Sequence, residues 1–315
     1  DPSSADSLLC SLLIKQLISA VIWQKTTQMT ANLHINAGAA YSGTKPLCYS
    51  IDKTGYAPMG EARKTEPNLL YYLSLDESEA RWYWESQHSH RTESYIKKDY
   101  TLFDYIEYVK NRNGLLDFSN SNQALPEHFL QRIAPILQEE FNVTVTLIWR
   151  DPVRRSYSQL SDIYKQKTKK PKPQWKIHKT SNLKKDLAER RKWREVSEKF
   201  PTSISYWKHC VENRDWHIAD YAEIYKRWQC FDNVQHLIME DLWSCDSELR
   251  LLENLLDHPV GILHDNAYCS AGIAENHQQT DLEVLSEEDI AWGRDQMSWV
   301  YDNFKSCFGY IPHSW

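Results

Sequence analysis

The chain has 315 residues, a formal net charge of −6, 25% charged residues and an apolar share of 41%. That length allows one large core or two smaller ones, and a single α/β domain is the simpler reading. The acidic balance excludes a globally basic nucleic-acid binder, and 9 Gly beside 13 Trp and 18 Tyr exclude a disordered or low-complexity chain. Seven cysteines without a CxxC pair signal neither a zinc knuckle nor a dense disulfide framework. They lean toward a reducing, cytoplasmic setting without fixing the compartment.

Leu8 to Trp23 is largely apolar, but it is short and holds Lys15 and Gln16, which is too polar for a membrane span and suits an amphipathic helix. Met29 precedes the first clear strand. Residues 1–28 therefore read as an appendage or helix of unassigned role, and 29–315 as one domain. From Ala31 to Asn36 residues alternate as in a strand, Gly38 to Thr44 turns, and Leu47 to Ile51 continues apolar as a helix. Between Tyr71 and Tyr108 the aromatics Trp82, Trp84, Tyr95, Tyr100, Phe103, Tyr105 and Tyr108 recur at helical spacing, which predicts helices packed on a sheet. A helix from Pro126 to Glu140 leads into Val143 to Trp149, a β-branched run suited to a strand buried on both faces. Between Lys165 and Arg194 thirteen Lys or Arg face only Asp186 and Glu189. This basic insertion, with Trp175 and Trp193, is either a solvated face or a surface that attracts an anionic acceptor such as an acidic glycan. A helix over Ala219–Phe231, a strand from Val234 to Met239, a helix over Asp246–Leu256, a loop from Asp265 to Asp281 and a last helix from Glu287 to Phe304 complete the chain. The pattern is that of an α/β fold, with a central, mainly parallel sheet of four or five strands and helices on both faces.

Two segments carry phosphate chemistry. Gly38-Ala39-Ala40-Tyr41-Ser42-Gly43-Thr44-Lys45 places a loop between strand and helix, where backbone N–H groups can surround an anion at a helix N-terminus. A P-loop kinase needs Lys directly after the second glycine, then Ser or Thr for magnesium. Here the order is Gly43-Thr44-Lys45, which weighs against that alternative. The second segment runs from Leu147 through Trp149-Arg150-Asp151-Pro152 to Ser158. Its strand delivers Arg150 to a carboxyl end, where open α/β sheets bind ligands, and the guanidinium offers a two-pronged fork to phosphate. Pro152 suits the first turn of a following helix, and Ser158, about two turns on, can return to the same anion. Arg154 and Arg155 read as surface arginines.

Together these segments resemble the paired motifs of sulfotransferases, P-loop-like enzymes that use 3′-phosphoadenosine-5′-phosphosulfate. In that family a Gly-x-x-(Lys or Arg)-x-Gly-Thr loop grips the 5′-phosphosulfate, and a strand ending in Arg-Asp-Pro with a later Ser grips the 3′-phosphate. Tyr221 to Trp228, Val234 and Met239-Glu240-Asp241-Leu242 are similar to the Tyr, helix, Trp, strand and Glu-Asp-Leu succession of carbohydrate-type members. The resemblance spans Ala31 to Trp315 and implies transfer of a sulfuryl group to a hydroxyl or amine of a glycan or small molecule, without a metal. It implies donor contacts at Gly38, Ala39, Ala40, Tyr41, Ser42, Gly43, Thr44, Lys45, Arg150 and Ser158. Lys64-Thr65-Glu66-Pro67-Asn68-Leu69-Leu70-Tyr71 resembles the family's Lys-Glu-Pro-His-Phe-Phe strand, whose glutamate is the base, and so nominates Glu66. Tyr41 stands where the family has a loop Lys or Arg. Lys45, then Lys64, are the candidates for the missing charge, and Tyr41 keeps a non-catalytic nucleotide-binding protein open as an alternative. Asp117-Phe118-Ser119-Asn120 falls where related enzymes place acceptor-contacting or basic residues. Tyr268 to His277 matches the region that closes over the donor, without its usual lysine.

Overall fold

A computed structural model describes residues 31–39, 42, 44–60, 68–76, 100–168, 183–214, 220–244, 246–260 and 283–315. The appendage at 1–28 and the middle of the basic stretch, 169–182, lie outside the described residues. Four strands, β1 (Asn32–Asn36), β2 (Gly114–Asp117), β3 (Asn142–Trp149) and β4 (Val234–Ile238), form one sheet in the order β2-β1-β3-β4, with every pairing parallel. Three of these follow the sequence expectation. β2 does not, because Gly-Leu-Leu-Asp is too short to show an alternation and begins at Gly114 directly after Asn113, both at positive φ (126° and 56°). Its pairing with β1, from Asn32 opposite Gly114 to Ile35 opposite Asp117, makes it a strand.

Parallel neighbours need long crossovers, and helices supply them. In chain order they are α1 (Thr44–Thr54), α2 (Leu69–Ser74), α3 (Leu102–Asn111), α4 (Glu127–Glu140), α5 (Pro152–Thr168), α6 (Leu183–Lys199), α7 (Ser203–Glu212), α8 (Tyr221–Trp228), α9 (Met239–Ser244), α10 (Asp246–Leu256), α11 (Glu287–Gln296) and α12 (Ser298–Phe308). A 3-10 turn covers Asn120–Ala124. Capping boxes start three of them: Thr101 with Asp104 at α3, Thr202 with Ser205 at α7 and Ser286 with Asp289 at α11. The single last helix expected from sequence is two helices, broken at Met297, whose ψ of 17° departs from the helix. None of the described helices is long and apolar enough to cross a membrane.

The sheet is buried on both faces, and the period-2 alternation of β1 and β3 sorts their side chains. Leu33, Ile35, Val145, Leu147 and Trp149 face one core, closed by Tyr105, Leu130, Leu137, Trp228 and Phe304 from α3, α4, α8 and α12. Ile148, with Leu116 and Leu237, faces the other, against Leu47 and Ile51 of α1 and Leu252 and Leu256 of α10. A third cluster, with Val153, Leu160, Trp207, Ile290 and Val300, joins α5, α7, α11 and α12 beyond the sheet.

The central strands also carry buried polar residues, and these bond to one another. His34 Nε2 lies 2.9 Å from Thr146 Oγ1, and Asn36 Nδ2 donates to that same oxygen at 3.3 Å. Burial holds the His34 imidazole neutral, with its pKa lowered from 6.5 to about 3. A lowered folded-state pKa means that below 6.5 the unfolded chain binds a proton the folded chain refuses, so stability falls as pH falls from 6.5 toward 3. The slope from this one group approaches about 1.4 kcal/mol per pH unit. Urea titrations of His34→Leu between about pH 7 and about pH 5 are expected to lose that share of the wild-type slope; an unchanged slope would mean His34 is not held neutral.

Candidate functional site

The strand order reverses between β1 and β3. From β1 the chain crosses to β2 on one side, then returns to β3 on the other. A crevice outside the carboxyl ends of two such strands is where open α/β sheets bind ligands. Both motifs nominated from sequence emerge here.

The loop after β1 is pressed against β3. Ala37 N–H donates to the Thr146 carbonyl at 2.9 Å, and Gly38 backs onto Ile148 so closely that a Cβ would sit 2.4 Å from its nitrogen and 2.5 Å from its oxygen. Asn36 Oδ1 accepts from Gly38 N–H at 2.9 Å and sets the first turn of the loop. Ala39 and Ser42 are buried, and Ser42 Oγ has no hydrogen-bond partner among the described residues. Thr44 opens α1, so the loop runs into a helix N-terminus. Ala40, Tyr41 and Gly43, and the side chains of Thr44 and Lys45, lie outside the described residues, as do Lys64, Glu66 and Tyr268 to His277.

Arg150 is the first residue past β3, two beyond Ile148. Its Nη1 donates to Ser158 Oγ at 3.0 Å, so the two members of the second motif come together across the start of α5. The turn is set by Asp151: its Oδ1 accepts from Arg154 N–H at 3.0 Å, and Pro152 opens the helix. Asp151 Oδ1 also accepts from Tyr301 Oη at 3.3 Å, and Oδ2 lies 3.5 Å from Arg294 Nη2. Burial and the Asp151 carboxylate together push the Tyr301 phenol far above its usual range, so it remains a donor.

Glu240, backed by Trp315, and Tyr221 hold Arg150 in place, none of them nominated from sequence as a site residue. Glu240, two residues past β4, brings Oε1 within 3.9 Å of Arg150 Nε and accepts from Asp151 N–H at 3.3 Å. Burial raises its carboxyl pKa, opposed by backbone N–H donors and by the Arg150 charge. Trp315 Nε1 donates to Glu240 Oε2 at 3.3 Å. Tyr221 Oη donates to the Arg150 carbonyl at 2.8 Å, its ring stacked on Trp149 with centroids 4.7 Å apart. Burial pushes the Tyr221 phenol up to about 12, partly offset by Arg155. Sequence placed Tyr221 and Glu240 in a recognisable succession, but only the pairing of β3 with β4 shows that Glu240 reaches Arg150.

Arg155 corrects the sequence reading. It is buried, not a surface residue, with its guanidinium 5.7 Å over the Tyr221 ring, whereas Arg154 is exposed as expected. The inward face of α5 covers Tyr221, and the aromatic face partly offsets the desolvation of the cation. Trp193, nominated as a stacking residue, sits edge-on to Tyr206 with centroids 5.9 Å apart. At the carboxyl end of β2, Ser119 Oγ donates to Asp117 Oδ1 at 2.6 Å and accepts from Asn68 N–H at 2.7 Å. Asn68 is two residues beyond Glu66 in the sequence.

No protein-family model and no curated protein matches the chain. Among solved structures it is similar to two sulfotransferases. One is a sulfotransferase from Alicyclobacillus acidocaldarius, with 11% identity and a TM-score of 0.48 over 90% of this chain and 98% of that one. The other is the sulfotransferase domain of the Synechococcus PCC 7002 olefin synthase, with 11% identity and a TM-score of 0.37 over 85% of this chain and 94% of that one. At that distance neither likeness carries an inference about function, which rests on the residues around Gly38 and Arg150.

The contact between Gly38 and Ile148 leaves no room for a side chain. Gly38→Ala is expected to destabilise the chain by at least roughly 1–3 kcal/mol, read by thermal or urea unfolding, since backbone rather than a flexible side chain must give way. Wild-type stability in that variant would show that the loop does not rest on β3.

Proposed function

We propose that the chain is a sulfotransferase that moves a sulfuryl group from 3′-phosphoadenosine-5′-phosphosulfate to a hydroxyl or amine of an acceptor, a glycan or small molecule. The single observation that carries this is the meeting of Arg150 and Ser158 at 3.0 Å, outside the reversed strands β1 and β3 and beside the Gly38 loop. A partly exposed guanidinium and a hydroxyl are the pair a 3′-phosphate needs, and a glycine-led loop ending in a helix N-terminus suits the 5′ end of the same nucleotide.

In this mechanism Arg150 and Ser158 hold the 3′-phosphate, and the N–H groups of residues 38–44 hold the 5′-phosphosulfate. The acceptor oxygen or nitrogen attacks sulfur in line. The bond from sulfur to the bridging 5′-phosphate oxygen breaks, its electron pair goes to the phosphate, and the acceptor's proton passes to Glu66. Lys45 and the loop N–H groups meet the charge that develops on the leaving phosphate. The products are the sulfated acceptor and 3′-phosphoadenosine-5′-phosphate.

Tyr41 favours a second reading, a nucleotide-binding protein without turnover, because a phenol at that place carries no positive charge for the leaving group. The two readings share a donor site and differ in transfer: radiolabel moving from the donor to any acceptor supports the first, and tight binding without transfer to any acceptor supports the second.

Calorimetric titration with 3′-phosphoadenosine-5′-phosphate is expected to show binding at micromolar concentration, with little response to ATP and magnesium. Arg150→Ala should weaken it by about 2–5 kcal/mol, roughly thirtyfold to several thousandfold, because the phosphate loses a charge-assisted fork. Unchanged affinity in that variant would remove Arg150 from the site, and a preference for ATP would point to a kinase.

A further inference from the structure

One buried polar network at the carboxyl ends of β1 and β2 stands apart from the Arg150 contacts. At its centre is Asn122, fully buried in the 3-10 turn after β2. Its Nδ2 points at three acceptors: the Asn36 carbonyl at 3.2 Å, Asp117 Oδ1 at 3.2 Å and the Asp117 carbonyl at 3.5 Å. None of these can donate, so the amide nitrogen, not the oxygen, must occupy this position. The ladder between β1 and β2 ends with Ile35 opposite Asp117, and Asn122 carries the tie between the two strands one step further.

Each arm of the network leads to one side of the crevice. On one side Asn36 Oδ1 fixes Gly38 N–H at 2.9 Å, where the phosphate loop begins. On the other, Asp117 Oδ1 accepts from Ser119 Oγ and N–H at 2.6 and 3.2 Å, and Ser119 Oγ accepts from Asn68 N–H at 2.7 Å. Asn68 is held further by Ser121 Oγ, which donates to its Oδ1 at 2.6 Å. It has a left-handed φ of 57°, which asparagine tolerates better than other non-glycine residues. Asn36, Asp117, Ser119 and Asn122 are all buried, where losing one donor strands every acceptor it served.

We infer that Asn122 is a positioning residue that ties the Gly38 loop and the Asn68 turn to one frame, fixing the separation between the 5′ end of the donor and the segment that carries the acceptor base. The inference rests on the reading of the Gly38 loop as the 5′ site and of Glu66 as the base. Asn122 touches neither substrate: it acts through Asn36 on one side and through Asp117 and Ser119 on the other.

The test uses the intact chain and two readouts. The first is hydrogen–deuterium exchange of the peptides holding the Gly38 and Asn68 amides. Asn122→Leu, which keeps the volume and deletes the amide, is expected to speed exchange at both, Asn36→Ala at Gly38 only and Ser119→Ala at Asn68 only. The second is the ratio of affinities for 3′-phosphoadenosine-5′-phosphate and adenosine 3′-phosphate, which isolates what the 5′ end contributes. Asn122→Leu should shrink that ratio about tenfold while adenosine 3′-phosphate binding stays within about twofold. An equal loss for both ligands would mean general weakening, and an unchanged ratio or exchange confined to one amide would mean no link; either overturns the inference. If Asn122→Leu does not fold, Asn122→Ala, which deletes the same amide, is read in the same two ways, and exchange confined to one amide overturns the inference equally. If the wild-type chain binds neither nucleotide, the donor reading falls, and exchange alone decides whether Asn122 couples the two turns.

Discussion

The parallel pairing of β1 with β3 is the constraint on which the site depends. With Asn36 opposite Thr146, β1 ends three residues before β3 does, and the loop that leaves β1 runs on along β3 as far as Ile148. Neighbouring strands lie only about 4.8 Å apart, so the two departing segments share one crevice. Gly38 makes that closeness physical, because its missing side chain lets loop backbone rest on Ile148, two residues before Arg150. The distance between the Gly38 loop and Arg150 is thus set by a sheet ladder rather than by loop conformation, and a rigid scaffold of that kind can hold a site to a fraction of an ångström.

Charge around Arg150 is divided between holding and offering. Asp151 is fully buried and occupied by the α5 N-terminus, Tyr301 and Arg294. Glu240 is occupied by Asp151 N–H and Trp315 as well as by Arg150 itself. Glu240 is the carboxylate that reaches the arginine, while that of Asp151 is taken up by its other partners. Arg155 is spent on the Tyr221 ring inside the protein, while Arg150 keeps about a quarter of its side chain open to solvent. A buried cation that is partnered rigidifies the site, and a partly open one can exchange part of its contact for a ligand.

What was legible in the sequence was local. β1 and β3 show in their alternation and β-branching, and Arg150 with Ser158 is readable because the pair spans one turn into a helix that Asp151-Pro152 announces. What was not legible depends on topology. Glu240 meets Arg150 across ninety residues of chain because β3 and β4 are neighbours, a fact no local pattern encodes. β2 is too short to declare itself, and Asn122, an amide in a polar run, gains its meaning only once β1 and β2 end side by side. Arg155 was misjudged because an arginine near a helix start is usually solvated, and here the tertiary partner Tyr221 overrides that default. The break at Met297 does not show in the sequence because Ile290, Met297, Val300, Tyr301 and Phe304 keep helical spacing through it.

The most direct test of the account is a crystal structure of the chain with 3′-phosphoadenosine-5′-phosphate bound. The account predicts the 3′-phosphate within hydrogen-bonding distance of both Arg150 and Ser158, and the 5′-phosphate against the N–H groups of the loop that begins at Gly38. A nucleotide bound elsewhere, or one whose 3′-phosphate points away from Arg150, would contradict it.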